Sequence, residues 1–164
     1  LTDAWVEENF SSTDGVHTVE DLRAEYQKML YQNNLNTAVM DYLLANSTFK
    51  DLPKEVTDYQ VNQCLNYYYT MAQYYGYDLD SFLQAAAGYN SADDLLDAMS
   101  DSITEYAREA LLYQAVAEAM DIAPTQEQID TYTAYTETYG ANYCTMVALM
   151  DAVSEALTTG VQVK

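Results

Sequence analysis

His17 is the one histidine of this chain. A histidine acting as general base needs a nucleophile to activate and an acid to orient it, both within hydrogen-bond reach. No G-x-S-x-G and no Cys–His signature accompanies His17. It precedes a helix start and reads as a surface residue. Zinc needs three or four Cys, His or carboxylate ligands, which one histidine and the distant Cys64 and Cys144 do not supply. Asp78 and Asp80 lack the following Gly and the late Glu of a calcium loop. Asp93 and Asp94 fall in a first helical turn, where negative charge suits the helix dipole. There is no Gly-rich phosphate loop. These residues point to no catalytic centre, no metal and no cofactor. The surplus lies elsewhere, in 17 Tyr and 7 Met. Tyr67-Tyr68-Tyr69, Tyr74-Tyr75 and Tyr77 crowd more rings together than one helix face can bury. Tyr combines a large contact area with a polar tip, and Met repacks against irregular partners. Such clusters, where exposed, mark interaction sites.

The elements that carry these rings are helical by pattern. Thr18-Val19-Glu20-Asp21 reads as a capping box with Asp in the place of Glu or Gln. From it Leu22, Tyr26, Met29, Leu30, Val39, Met40 and Leu43 continue at helical spacing to about Ala45. Asp51-Leu52-Pro53 starts a second helix, running to about Tyr75 and stopping at Gly76. Its apolar side is Tyr59, Cys64, Leu65, Tyr68, Met71, Ala72 and Tyr75. Asp80 opens a short helix that ends before Gly88. Between Ser91 and Asp121, Leu96, Met99, Ile103, Tyr106, Ala110, Tyr113, Ala117 and Met120 alternate steps of three and four. That spacing predicts one uninterrupted helix of about eight turns with a narrow seam, capped by Asn90 or Ser91. Thr125-Gln126-Glu127-Gln128 is a second capping box, opening a fifth helix with Ile129, Tyr132, Tyr135 and Tyr139 that ends at Gly140. A last helix carries Met146, Val147, Met150, Val153 and Leu157 to Gly160. Residues 1–17, with Trp5, Val6 and Phe10 before the loop-like Ser11–Gly15, read as a lead-in segment. No strand is predicted. The fold class is all-α, and helices this long predict an elongated shape.

Composition narrows the partners. The chain has 164 residues, 49% of them hydrophobic, and a formal net charge of −20. A chain of this size buries roughly 70% of the surface its unfolded form exposes. The acidic balance repels nucleic-acid backbones and anionic membranes, so neither is expected as a partner. No 18-residue apolar run is present to span a membrane. Cys64 and Cys144 lie 80 residues apart with no CxxC, so one disulfide could form, but two free cytosolic thiols are expected. The chain opens on neither a signal peptide nor a Met and reads as a piece of a longer cytoplasmic protein.

Taken in order, these segments resemble the C-terminal substrate-binding domain of bacterial trigger factor, the ribosome-associated chaperone. Leu1-Thr2-Asp3 and Trp5-Val6-Glu7-Glu8-Asn9 resemble the segment that leaves that family's prolyl isomerase domain. Thr18-Val19-Glu20-Asp21-Leu22-Arg23 is similar to its T-x-E-E-L-R helix start, and Asp51-Leu52-Pro53 to its L-P or V-P junction. Leu111-Leu112-Tyr113-Gln114-Ala115-Val116-Ala117-Glu118 resembles the aliphatic run late in its long helix. Ile122 and Thr125-Gln126-Glu127-Gln128-Ile129 resemble the turn and cap that follow. The likeness departs in two places. The stretch from Tyr139 to Met146 is shorter than the family's, and Asp, Asn and Tyr replace much of its usual Lys and Glu.

The resemblance implies a single helical chaperone domain over 1–164, with a body and protruding arms that cradle unfolded or nascent polypeptides. It implies no enzyme activity in this segment. The isomerase and ribosome-docking domains would precede Leu1, so the ribosome would be met only through them. Ring surplus and spacing nominate Tyr67, Met71, Tyr74 and Tyr75 of the second helix and Tyr132, Tyr135 and Tyr139 of the fifth as client contacts. Two other classes compete: a structural or oligomerising module pairing through the seam, and the chaperone part of an exported foldase.

Overall fold

The computed structural model describes residues 1–10, 13 and 15–159. Ser11, Ser12 and Asp14 of the expected loop, and the expected stop at Gly160, lie outside them. The described residues form helices and no strand: α1 (Asp3–Phe10), α2 (Val19–Asn46), α3 (Lys54–Tyr74), α4 (Leu79–Phe82), α5 (Ala92–Ala98), α6 (Ser100–Met120), α7 (Gln126–Tyr132), α8 (Thr136–Tyr139) and α9 (Ala141–Thr159). The fold is all-α. None of the described helices is long and apolar enough to cross a membrane. Contacts divide the chain into two compact units, Leu1–Leu43 with Pro124–Lys164, and Leu44–Ala123.

In the first unit the lead-in contains a helix the sequence reading lacks. Val6 of α1, Val16 and Leu22 of α2 form a small buried cluster, flanked by Phe10 and Val19. Asp3 ties the two helices, its carboxylate accepting from the Val19 amide at 2.8 Å. The box at Thr18 forms as expected. The Asp21 amide donates to Thr18 Oγ1 at 3.1 Å, and the Thr18 amide donates to Asp21 Oδ2 at 2.9 Å. The second box forms as well, with Gln128 donating its amide to Thr125 Oγ1 at 3.2 Å and accepting from the Thr125 amide at 2.8 Å. α7 and α8 pack on α9, whose Cys144, Ala148, Ala152 and Val153 are buried.

Hydrogen bonds from the Thr18 hydroxyl and the His17 and Thr18 amides hold the Asp21 carboxyl below its ordinary value of 3.8. A depressed folded-state pKa means that the stabilisation is complete above 3.8 and fades as pH falls through the lower folded value. Asp21→Asn should therefore melt below the wild type at neutral pH. The gap should close on acidification, read as paired circular-dichroism melts. A gap independent of pH would contradict this origin.

In the second unit α3 packs against α6 and against α4. Ala72 of α3 and Ala107 and Ala117 of α6 are buried, as are Leu83, Leu95, Ile103, Leu112 and Tyr113. Ser91 caps α5, its Oγ accepting from the Asp94 amide at 3.2 Å.

Three expectations of unbroken helix are corrected here. The helix predicted between Ser91 and Asp121 is divided at Met99, which lies at φ −94° and ψ 2° between α5 and α6. Ile103, Tyr113 and Ala117 of the expected seam are buried, while Tyr106 and Met120 are 56% and 49% exposed, and Leu95 and Ala107 outside it are buried as well. The segment after Asp80 is capped by Asp78, whose carboxylate accepts from the Ser81 amide at 2.9 Å. It then widens into a π turn over Leu83–Ala87 and stops at Gly88, whose φ of 80° a side chain would resist. The fifth helix is α7 and α8 joined by a 3-10 turn at Thr133–Tyr135.

Candidate interaction surface

α3 has more rings than the faces packed on α4 and α6 can cover. Tyr74 is 80% exposed, Tyr67 60% and Tyr75 58%, and Tyr69 and Tyr77 are exposed as well. Met71 is half-buried between them. The rings hold one another in edge-to-face pairs, Tyr67 with Tyr68 at 5.3 Å and Tyr74 with Tyr75 at 5.1 Å. Tyr75 also lies parallel to the buried Phe82 ring at 6.0 Å. Tyr68 turns toward Tyr89, centroids 6.0 Å apart, and burial pushes its hydroxyl pKa up. Tyr67 and Tyr74 therefore belong to the surface, Tyr68 is half-buried, and exposed Tyr75 also rests on Phe82. A mutually braced set of rings presents apolar area with little left to order on contact.

The three rings nominated on the fifth helix lie in the other unit and divide by role. Tyr132 is half-buried, and its hydroxyl donates a short hydrogen bond to the Asp151 carboxylate of α9. That bond raises its pKa to about 12, with burial contributing. It is committed to holding α7 on α9. Tyr135 and Tyr139 are exposed, and Tyr139 lies 5.0 Å from Tyr143, a ring the sequence reading did not single out. Tyr132→Phe should cost about 1 kcal/mol of stability. It should also remove the phenol transition near pH 12 from an ultraviolet titration. An unchanged transition near pH 12 would show that Tyr132 is not the group that titrates there.

A second exposed set went unnoticed in the sequence. Tyr26, Met29, Leu30, Tyr31 and Tyr42 of α2 are all exposed, and that 28-residue helix buries only Leu22 and Met40. The helical spacing of Tyr26, Met29 and Leu30 is the spacing of a buried face, so periodicity alone could not expose them. The available signal was length, since 28 residues span about 42 Å.

Polar groups with possible chemistry serve structure. His17 is exposed, its Nδ1 2.8 Å from Glu7 Oε2. Asp78 caps α4. Asp94 accepts from the Asn90 amide at 2.8 Å, which lowers its pKa. Cys64 and Cys144 are free thiols. Among the described residues no group of three His, Cys, Asp or Glu is placed to hold a metal ion.

The described residues are helical without a strand, and tyrosine, methionine and leucine side chains are exposed on α2 and tyrosines on α3. The family described as bacterial trigger factor protein (TF) C-terminus matches residues 17–158. The chain belongs to that family and is a chaperone-type domain. It is similar to the trigger factors of Streptococcus pyogenes serotype M1 and serotype M49 (strain NZ131), 25% identical over 124 residues, or 71% of this chain. The trigger factor of serotype M4 (strain MGAS10750) is similar to the same extent. The chain spans 29% of the length of the first two relatives and 27% of the third. No solved structure matches the chain.

Proposed function

We propose that this domain binds unfolded or nascent polypeptides through its exposed tyrosine and apolar faces, Tyr67, Met71 and Tyr74 on α3 and Tyr75 at its end first among them. The second set is Tyr135 and Tyr139, with Tyr132 as their anchor. The observation that carries the proposal is the solvent exposure of Tyr67, Tyr74 and Tyr75 on a helix whose other side is packed. Contacts of this kind repack around many partners and discriminate little. The net charge of −20 biases them toward basic clients. Catalysis of prolyl isomerisation and any meeting with the ribosome would belong to other parts of a cytoplasmic trigger factor-like parent. The test is aggregation of a chemically denatured client diluted into buffer with the domain. Slowed aggregation at several-fold molar excess supports the reading. No effect at any ratio, together with a stable dimer by light scattering, supports an oligomerising module instead.

A further inference from the structure

Alongside the exposed rings α3 carries a second surface of different chemistry. Tyr59, Asn62, Gln63, Asn66 and Tyr69 recur at steps of three, one, three and three, so they share one side of the helix. With Leu79 beyond them they line a shallow groove of about 490 Å³. The side-chain amides of Asn62, Gln63 and Asn66 take part in none of the hydrogen bonds among the described residues. Each offers donors and an acceptor, which is the complement of an extended main chain. Gln63 and Tyr67 are four residues apart, so the groove borders the ring surface.

The charge along the sequence that carries it has one sign. No Lys or Arg occurs between Lys54 and Arg108, while Glu55, Asp58, Asp78, Asp80, Asp93, Asp94, Asp97, Asp101 and Glu105 do. Lys54, just outside that stretch, is paired with Asp58. Asp80 is exposed beside Leu79. Tyr59 and Tyr69 are separated by roughly 15 Å along the helix, the length of about four or five extended residues.

We infer that this groove binds the main chain of an extended, lysine- or arginine-bearing client segment. The Asn62, Gln63 and Asn66 amides meet its peptide groups, and the Tyr59 and Tyr69 rings flank its side chains. The inference rests on the chaperone reading and deepens it. Recognition of the main chain makes binding independent of sequence, while the bordering rings add apolar area wherever the client supplies it.

The experiment compares two fluorescent peptides on the full chain by anisotropy. One is an unstructured peptide of lysine, leucine and phenylalanine. The other has the same side chains with central amides replaced by esters, which removes main-chain donors and changes little else. The wild type should bind the ester form several-fold more weakly. N62A/Q63A/N66A should bind the amide form about tenfold more weakly than the wild type, as the loss of up to three modest hydrogen bonds gives. It should no longer distinguish the two peptides. Alanine favours the helix at all three positions, and far-ultraviolet circular dichroism checks that the fold is kept. Equal binding of both peptides by the wild type overturns the inference without recourse to the variant. A variant that matches the wild type while both protect a client from aggregation overturns the inference alone. A wild type that neither binds peptide nor slows aggregation overturns the chaperone reading and this inference with it.

Discussion

Replacing Tyr67, Tyr74 and Tyr75 together by Ser lowers affinity for an unfolded client by about tenfold or more, because exposed aromatic anchors carry most of the energy of such contacts. Far-ultraviolet circular dichroism should stay the same. Ser and Tyr have similar helix propensities, so little is lost within α3 itself. Tyr67 and Tyr74 meet other rings edge-on and remain largely in solvent. Tyr75 is the costly member, because its ring is stacked on Phe82, so some stability goes with it. Tyr74→Ser alone separates the two effects and should weaken binding at unchanged stability. Equilibrium anisotropy and urea unfolding on the same variants provide both numbers. A triple variant that unfolds would mean that these rings are core.

Leu83→Ala has the largest expected effect on the fold, about 2–5 kcal/mol, the range for emptying a closed apolar site. Leu83 is completely buried and begins the π turn. Its carbonyl also accepts from the Tyr89 amide at 3.0 Å, closing the turn behind it. Domains of ordinary stability hold about 5–15 kcal/mol in total, so the loss is a large share. The segment packs on α3 and includes Phe82, on which Tyr75 rests. The variant should therefore lose client binding along with its urea midpoint. Hydrogen exchange within residues 44–123 should rise. An unchanged midpoint would show that the site collapses around the smaller side chain.

The helix starts were legible because their causes are local. Thr18 with Asp21, Thr125 with Gln128, Pro53 and Ser91 act through bonds or restraints within one turn, and those residues appear in the sequence at fixed spacing. The interruptions were not legible. Met99, the π turn at Leu83–Ala87 and the 3-10 turn at Thr133–Tyr135 occur inside good helical sequence with no Gly or Pro to announce them. The seam read from Leu96 to Met120 included the buried Ile103, Tyr113 and Ala117 but not Leu95, Ala107 and Leu112, which are buried too. Among the nominated contacts, Tyr67, Tyr74, Tyr75, Tyr135 and Tyr139 are exposed as a surplus of rings implies. Tyr132 is drawn inward by Asp151, a partner nineteen residues away that no local pattern reveals. The rings of α2 were missed for the opposite reason, an apolar spacing whose residues stay exposed. α1 was missed because eight residues give too little periodicity to read.

The most direct test follows backbone amide resonances of the full domain while an unfolded, basic client polypeptide is added. Client contact through the exposed rings should first shift amides from Tyr67 to Tyr77, in the last turns of α3 and just past its end, with smaller changes beside Tyr135 and Tyr139. The shifts at α3 should vanish in the Tyr67, Tyr74 and Tyr75 variant. Client protection from aggregation with no shift in α3, or with the same shifts after those rings are removed, would contradict the account.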